Sequence, residues 1–370
     1  MRYPKFLKDE GTIGFVAPSF GCATEPYASA FEAALKTFDN MGYKTVLGPN
    51  CRLAEGIGIS NKPELCGKEL NEAYVSNDSD VIISCGGGEL MCEVVPFIDY
   101  EAISKAQPKW YMGFSDNTNF TFLSATLADT AAIYGPCAAT FGMNRWHESL
   151  DDCFKLLRGE SLEVHNYDKW EKEGLRDEEH PFEPYNLTEE MKIKYYIPDG
   201  TNVSDLEVDN NKVDGSECLT ILDSEQVKKE VSFEGRIIGG CMDCLQVLCG
   251  TSFDKVEEFN DKYADDGIIF FLEACDLNVM GIRRAIWQMK NAGWFKNVKG
   301  FLIGRPMHFD EGFLGLDQYH AVVDVLAEFN VPIIMDLDIG HLPPQMPIIT
   351  GAYAKVSSVG NEFKMRYELV

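Results

Sequence analysis

Short apolar runs alternate with helical patterns over the first 150 residues, and this alternation is typical of a parallel sheet. The runs that we interpret as strands are 12–18, 43–48, 80–86, 109–114 and 131–135. Between the first two, apolar residues recur from Ala28 to Phe38 on one face of a predicted helix, which Gly42 closes. We therefore predict an N-terminal α/β domain over residues 1–150.

The same alternation returns near the middle of the chain. Strands are predicted at 234–239, 267–273, 298–304 and 332–337, and helices at about 279–293 and 317–329. The final segment, 346–369, predicts β hairpins with a turn at Gly360-Asn361. We predict a second domain over residues 233–370.

The stretch between the two domains, residues 151–232, has a different character. It is acidic, is interrupted by prolines such as Pro181 and Pro184, and carries aromatic residues that include Trp170 and Tyr185. Two interpretations remain open for this connection. It is either an irregular excursion over the functional site or a long solvated linker.

Three predicted strands of the first domain end in polar or glycine-rich residues, at Pro18-Ser19, Gly86-Gly88 and Ser115-Asp116. In open α/β sheets, active residues collect beyond the carboxyl ends of the strands. This edge of the sheet is therefore the predicted functional site.

Charge narrows the choice of partner. The 370 residues include 33 basic and 59 acidic side chains, a formal net charge of −26. Such a surface repels phosphate backbones and anionic lipid, so we expect no nucleic-acid and no membrane partner. A small molecule or peptide remains possible as substrate.

The N-terminus lacks the apolar core of a signal peptide, and no segment reaches about 18 apolar residues, so a cytoplasmic protein is predicted. The 12 cysteines are scattered. Cys241 and Cys244 have CxxC spacing, but no second pair or histidine follows at zinc distance. No metal site is predicted.

Ser115 follows an apolar strand directly and precedes a helix-like stretch, which is the sequence context of a nucleophile elbow. Asn117 stands where that motif usually has glycine. The alternative is that Ser115 or Asp116 caps the following helix. These residues alone favour the cap.

The glycine loop Gly86-Gly88 fails the dinucleotide fingerprint, because Met91 stands where the last glycine belongs. Its bare N–H groups could hold an anion, although a tight turn would explain the same residues.

A hydroxyl nucleophile needs a base and a carboxylate that orients the base. His341 follows a β run and precedes Pro343-Pro344, while His308 is a second candidate. Glu273 ends the apolar strand GIIFFLE and so needs a buried partner. That partner is a histidine or one of the nearby arginines Arg283 and Arg284, and Asp276 is the alternative carboxylate.

Together, the segments GTIGFVAPS, GFSDNT, GRIIGG, FFLE and GHLPPQMPI resemble, in this order, the LD-carboxypeptidase family of serine peptidases, which includes the microcin C self-immunity peptidases. The resemblance implies a flavodoxin/Rossmann-like parallel domain and a β-rich, swivelling-barrel-like α/β domain, with the site between them. It also implies a homodimer.

The same resemblance implies roles for individual residues. Ser115 would be the nucleophile, His341 the base and Glu273 the group that orients it, with an oxyanion hole formed by the N–H groups of Gly88 and Asp116. No cofactor is implied.

The chain also departs from the family's pattern. Gly86 replaces an arginine common in muropeptide-cleaving members, and Cys241 replaces an asparagine. The region around Trp170 looks more like the immunity branch. We therefore expect an amide hydrolase that acts on an aminoacyl- or peptidyl-nucleotide, with Gly87 and Trp170 contacting the substrate.

Two alternatives stay open. One is a carboxypeptidase that releases D-alanine from a murein tetrapeptide. The other is a non-catalytic ligand-binding protein that uses the same strand ends.

Overall fold

The structure is a computed structural model that describes residues 1–198 and 219–370. Residues 199–218 of the predicted connection lie outside the described residues.

The strands of the described residues are β1 (Thr12–Val16), β2 (Lys44–Leu47), β3 (Val81–Ser84), β4 (Trp110–Gly113), β5 (Ala132–Tyr134), β6 (Glu163–His165), β7 (Lys169–Trp170), β8 (Glu189–Glu190), β9 (Lys194–Tyr196), β10 (Leu222–Asp223), β11 (Val231–Cys241), β12 (Ile268–Glu273), β13 (Val298–Gly304), β14 (Ile333–Leu337), β15 (Ile348–Thr350), β16 (Tyr353–Val359) and β17 (Glu362–Glu368).

The α-helices are α1 (Tyr27–Asn40), α2 (Pro63–Val75), α3 (Tyr100–Lys105), α4 (Thr118–Ala128), α5 (Glu148–Leu157), α6 (Met242–Leu248), α7 (Val256–Lys262), α8 (Val279–Asn291) and α9 (Gln318–Leu326). Short 3₁₀ helices occur at Met91–Glu93, Val95–Phe97, Ser115–Asn117, Ala138–Gly142, Ser224–Gln226 and Ala327–Phe329.

The first sheet has the order β15-β5-β4-β3-β1-β2. Its strands β1 to β5 are parallel, and the five strands predicted for the N-terminal half are all present. Strands β3 and β4 are buried at every position, as expected when helices cover both faces of a parallel sheet. The carboxyl ends of β3 and β4 place the glycine loop and Ser115 side by side.

The second sheet has the order β10-β9-β14-β13-β12-β11-β16-β17-β6. Its centre, β11 to β14, is parallel, and the strands on both sides of this centre are antiparallel. The hairpin of β16 and β17 turns at Gly360-Asn361, as predicted. The predicted fold class, a parallel α/β half followed by a β-rich α/β half, is thus found.

Two details differ from the sequence-based expectation. Strand β15 does not form a hairpin with its neighbour but pairs antiparallel with β5, so a C-terminal segment forms the edge of the N-terminal sheet. The described part of the connection is not a solvated linker either. It supplies β6 at one edge of the second sheet and β9 near the other.

A single hydrophobic cluster joins the two sheets. Ile133 of the first sheet and Ile237 of the second belong to it, and the rings of Tyr134 and Phe271 lie 5.3 Å apart. The ends of β4, β5 and β12 therefore meet at one place. Within the described residues, no helix is long and apolar enough to cross a membrane.

Candidate active site

Ser115 occupies a sharp turn between β4 and α4. The backbone of Phe114 is extended. Ser115 has a φ of 62°, in the left-handed region that residues other than glycine rarely adopt. Such a strained backbone persists only where its surroundings enforce it, and it is common at functional sites. The turn displays the hydroxyl at the end of the sheet, as a nucleophile elbow requires.

The helix-cap interpretation of this segment is wrong. No side chain accepts a hydrogen bond at the N-cap of α4 or of the 3₁₀ turn that precedes it. The Asp116 carboxylate instead accepts hydrogen bonds from the Ser19 hydroxyl at 2.5 Å and from the Met91 N–H at 2.9 Å. Asp116 thereby ties the turn to the segments that follow β1 and β3.

A chain of hydrogen bonds links Ser115 to a histidine and a carboxylate. The Nε2 atom of His341 lies 2.8 Å from the Ser115 Oγ, and its Nδ1 atom lies 2.9 Å from Oε2 of Glu273. Glu273 is 0% exposed, so its charge is shielded from water. The structure thus brings together the three residues for which the sequence predicts catalytic roles.

Glycine is required directly before His341. Gly340 has a φ of 106°, and a Cβ atom there would lie 2.6 Å from the Glu273 Oε2. Any side chain at this position would displace the carboxylate from His341.

The alternative candidates lie elsewhere or have other partners. His308 is exposed and pairs with Glu311, and it does not line the site. Arg283 pairs with Asp324, so it is not the partner of Glu273. Asp276 lies at the rim of the site, beyond the end of β12.

Tyr134 is a site residue that the sequence analysis missed. Its hydroxyl donates to Oε1 of Glu273 at 2.5 Å and accepts from the Ser115 N–H at 3.1 Å. It therefore fixes both the turn and the carboxylate. Its position at the end of a strand that runs beside β4 was the available signal.

Asn117 and Asp243 also hold the site in place. The Asn117 amide donates to the carbonyl oxygens of Gly86 and Phe114, joining the glycine loop to the turn. Asp243 accepts from the N–H groups of two residues that follow Glu273, at 3.0 Å each. Apart from lying near candidate site residues in the sequence, neither residue belongs to a pattern that predicts this structural role.

The glycine loop faces the serine. A Cβ atom on Gly87 would lie 3.4 Å from the Ser115 Oγ, and one on Gly88 would lie 2.1 Å from the Ser19 Oγ. The N–H groups of Gly88 and Asp116 donate to no acceptor within residues 1–198 and 219–370. They are therefore available to an incoming oxygen, and their role as an oxyanion hole remains a prediction.

A cavity of about 730 Å³ opens beside Ser115 and His341. This volume is that of a pocket for a drug-sized ligand. Its charged lining residues are Glu89, Asp116, Glu171, Arg176, Glu183, Asp243 and Asp276, together with His341. Three of these, and Tyr185, belong to the connection, so the described part of the connection extends over the site.

Trp170 is not among the lining residues. It is 4% exposed, its ring packs against Phe309 at 4.9 Å, and the guanidinium of Arg305 lies over it at 4.9 Å. Arg305 in turn pairs with the buried Asp338, three residues before His341. This placement gives Trp170 no contact with the cavity and argues against the expected substrate contact. Tyr185 is the aromatic residue of the connection that lines it.

Burial lowers the pKa of His341, but the facing Glu273 carboxylate and the Cys275 side chain together raise it, and the resulting pKa lies well above the usual range of histidine. A base must be neutral to accept a proton, so activity falls as the pH falls through this raised pKa. We expect kcat/KM to rise along an ionisation above the ordinary value of about 6.5. A pH profile of kcat/KM measures it, and a limb at or below that value would contradict the assignment of His341.

Comparisons with known proteins place this geometry in context. Profiles of the LD-carboxypeptidase N-terminal and C-terminal domains match residues 13–135 and 234–356. The microcin C7 self-immunity protein MccF of Escherichia coli is 25% identical over 351 residues, covering 92% of this chain and 88% of that protein.

Solved structures show the same fold. An MccF-like protein from Bacillus anthracis superposes with a TM-score of 0.79 at 20% identity, with 100% of both chains covered. MccF in complex with aspartyl sulfamoyl adenosine superposes with a TM-score of 0.75 at 20% identity, covering 100% of this chain and 99% of that chain. These likenesses confirm the predicted fold class.

Proposed function

The chain belongs to the LD-carboxypeptidase family of peptidases, and from this we propose that it is a serine hydrolase that cleaves amide bonds through Ser115, His341 and Glu273. The observation that carries the proposal is the continuous hydrogen-bonded chain from Oγ of Ser115 to the buried carboxylate of Glu273. A hydroxyl, a base and an orienting carboxylate in this order are the parts that acyl transfer needs.

In the proposed reaction, the Ser115 Oγ attacks the carbonyl carbon of the amide while its proton passes to Nε2 of His341. The N–H groups of Gly88 and Asp116 stabilise the oxyanion that develops. His341 then donates its proton to the leaving amine, and an acyl ester remains on Ser115. Water hydrolyses that ester with His341 again as base.

Glu273 supports both transfers by accepting the Nδ1–H of His341. This keeps the proton on Nδ1 and leaves Nε2 free to accept from Ser115. Tyr134 holds the second carboxylate oxygen, so the orientation of Glu273 does not depend on His341 alone.

We propose aminoacyl- or peptidyl-nucleotides as the substrate class. MccF has been solved with aspartyl sulfamoyl adenosine, an aminoacyl-nucleotide analogue. The cavity is large enough for such a molecule, and Tyr27, Phe114 and Tyr185 line it. Aromatic faces of this kind stack on bases, typically with about 1–3 kcal/mol per base.

A hydrolysis screen by mass spectrometry tests the substrate class. We expect aminoacyl- or peptidyl-nucleotide amides to be cleaved at least as fast as an L,D-tetrapeptide, because Gly86 supplies no cation for a terminal D-residue in the glycine loop. The Ser115→Ala protein is the control for spontaneous breakdown. Release of D-alanine from the tetrapeptide without turnover of the nucleotides would overturn this choice.

That outcome would support the second candidate, an LD-carboxypeptidase. The observation in its favour is that both matching domain profiles are those of LD-carboxypeptidases. We also keep the homodimer implied by the resemblance as a proposal, which sedimentation equilibrium tests.

A fluorophosphonate probe separates both enzymes from a ligand-binding protein. The probe reacts with serines that a neighbouring base activates. Labelling that is lost in Ser115→Ala supports a hydrolase, whereas an unlabelled wild-type protein supports a binding function.

A further inference from the structure

Arg176 is a half-buried cation that has no ion-pair partner among the described residues. It lies in the described part of the connection, and its Nε and Nη2 atoms are buried and have no hydrogen-bond partner. Within residues 1–198 and 219–370, no Asp or Glu forms an ion pair with it. A buried, charged donor is costly unless something accepts its hydrogen bonds, so its surroundings favour an anion that residues 1–198 and 219–370 do not supply.

The Arg176 guanidinium lies at the same cavity as Ser115 and His341. Arg176 lines that cavity, and its guanidinium carbon lies 5.3 Å from the centre of the Tyr27 ring, which also lines it. The aromatic face supports the cation without neutralising it. One face of the guanidinium is thus packed against Tyr27, while its Nε and Nη2 atoms have no hydrogen-bond acceptor among the described residues.

The other charges of the cavity make this position distinctive. Six carboxylates line the described cavity, on Glu89, Asp116, Glu171, Glu183, Asp243 and Asp276, whereas Arg176 is its only Lys or Arg. Carboxylates repel an anionic group over most of the surface. An anion on the substrate is therefore stabilised at the guanidinium and disfavoured at the carboxylates.

We propose that Arg176 is a specificity-determining residue whose guanidinium binds an anionic oxygen group of the substrate, either a carboxylate or a phosphate. The planar fork of arginine matches both groups with paired hydrogen bonds. The proposal deepens the proposed function, on which it rests for the identity of the substrate. In this proposal the connection supplies, through Arg176, the cation that the glycine loop lacks, since Gly86 stands where muropeptide-cleaving relatives commonly have arginine.

Binding to the Ser115→Ala protein tests the proposal without relying on turnover. Calorimetry compares AMP with adenosine, and an L,D-tetrapeptide with its C-terminal amide, so that each pair differs in one anionic group. We expect Arg176→Gln to weaken the anionic member of one pair roughly 10- to 100-fold and to change the neutral member less than about twofold.

The pair that responds identifies the source of the anion, phosphate for AMP and carboxylate for the peptide. Arg176→Lys should recover part of the affinity, because it keeps the charge and loses the fork. Arg284→Gln is the matched control, an exposed arginine that does not line the cavity. Thermal melts of all variants report whether the fold is preserved.

Three results would overturn the proposal. They are equal weakening of both members of a pair, unchanged affinity for both anionic probes, and no binding of either anionic probe to the protein that retains Arg176. The proposed function fails separately, when wild-type protein cleaves no amide and escapes the fluorophosphonate. Selective loss of anion binding together with absent turnover would leave Arg176 as the anion site of a binding protein.

Discussion

Ser115→Ala is expected to lower kcat by roughly 10⁴–10⁶, as loss of a triad nucleophile does. The hydroxyl lies 2.8 Å from Nε2 of His341, so its removal eliminates the atom that forms the acyl ester. Alanine keeps the Cβ atom at a φ of 62°, so the strain of the turn and the thermal stability should change little. Steady-state kinetics on the best substrate of the screen measures the effect.

Ser124→Ala is a suitable control for this variant. Ser124 is a buried serine of α4 whose hydroxyl bonds to the backbone of Thr130, away from the cavity. It should lose stability and keep turnover. Near-normal kcat in purified, folded Ser115→Ala would exclude Ser115 as the nucleophile, whatever the control does.

Glu273→Gln is expected to lower kcat by roughly 10⁴ with an intact fold, as the equivalent change does in a serine protease triad. The Gln carbonyl oxygen can still accept from Tyr134, which points the amide NH₂ at Nδ1 of His341. An NH₂ group donates to Nδ1 and so drives the ring proton to Nε2. In that tautomer His341 cannot accept the proton of Ser115.

The residual activity of Glu273→Gln should also reach its half-maximum at a lower pH, because the carboxylate that raises the pKa of His341 is gone. Glu311→Gln provides the matched control, since Glu311 pairs with the exposed His308. A Glu273→Gln protein with wild-type kcat would show that His341 needs no carboxylate and would remove Glu273 from the triad.

The sequence predicts the fold well where burial leaves a continuous apolar run. Strand β13 was expected at 298–304 and is observed at Val298–Gly304, and the central strands of both sheets lie within two or three residues of the predictions. Strands of a parallel sheet that are buried on both faces contain few polar residues, so the sequence alone shows where each strand begins and ends. The pairing of β15 was not visible. Thr350 meets Ala132, which lies 218 residues earlier, and three residues carry too little pattern to identify a distant partner.

The candidate site shows the same division. Ser115, Glu273 and His341 stand at strand ends and in family motifs, and the structure brings them within hydrogen-bonding distance. The sequence does not reveal the role of Tyr134 in the site, because a tyrosine in an apolar strand is expected to be a core residue. The sequence predicts a substrate contact for Trp170, because residue types alone cannot distinguish an aromatic ring that lines a cavity from one buried beneath it. That distinction depends on the tertiary packing of Arg305.

The position of β15 has a consequence for protein synthesis. A ribosome delivers the N-terminal half first, yet the edge of its sheet comes from Ile348–Thr350, and His341 is delivered 226 residues after Ser115. A nascent chain that has folded its first domain therefore carries the serine without its base. The triad is assembled only when the last strand of the first sheet is added. Hydrolytic activity should thus appear only after the segment that carries His341 and β15 has been synthesised and has packed against the first domain.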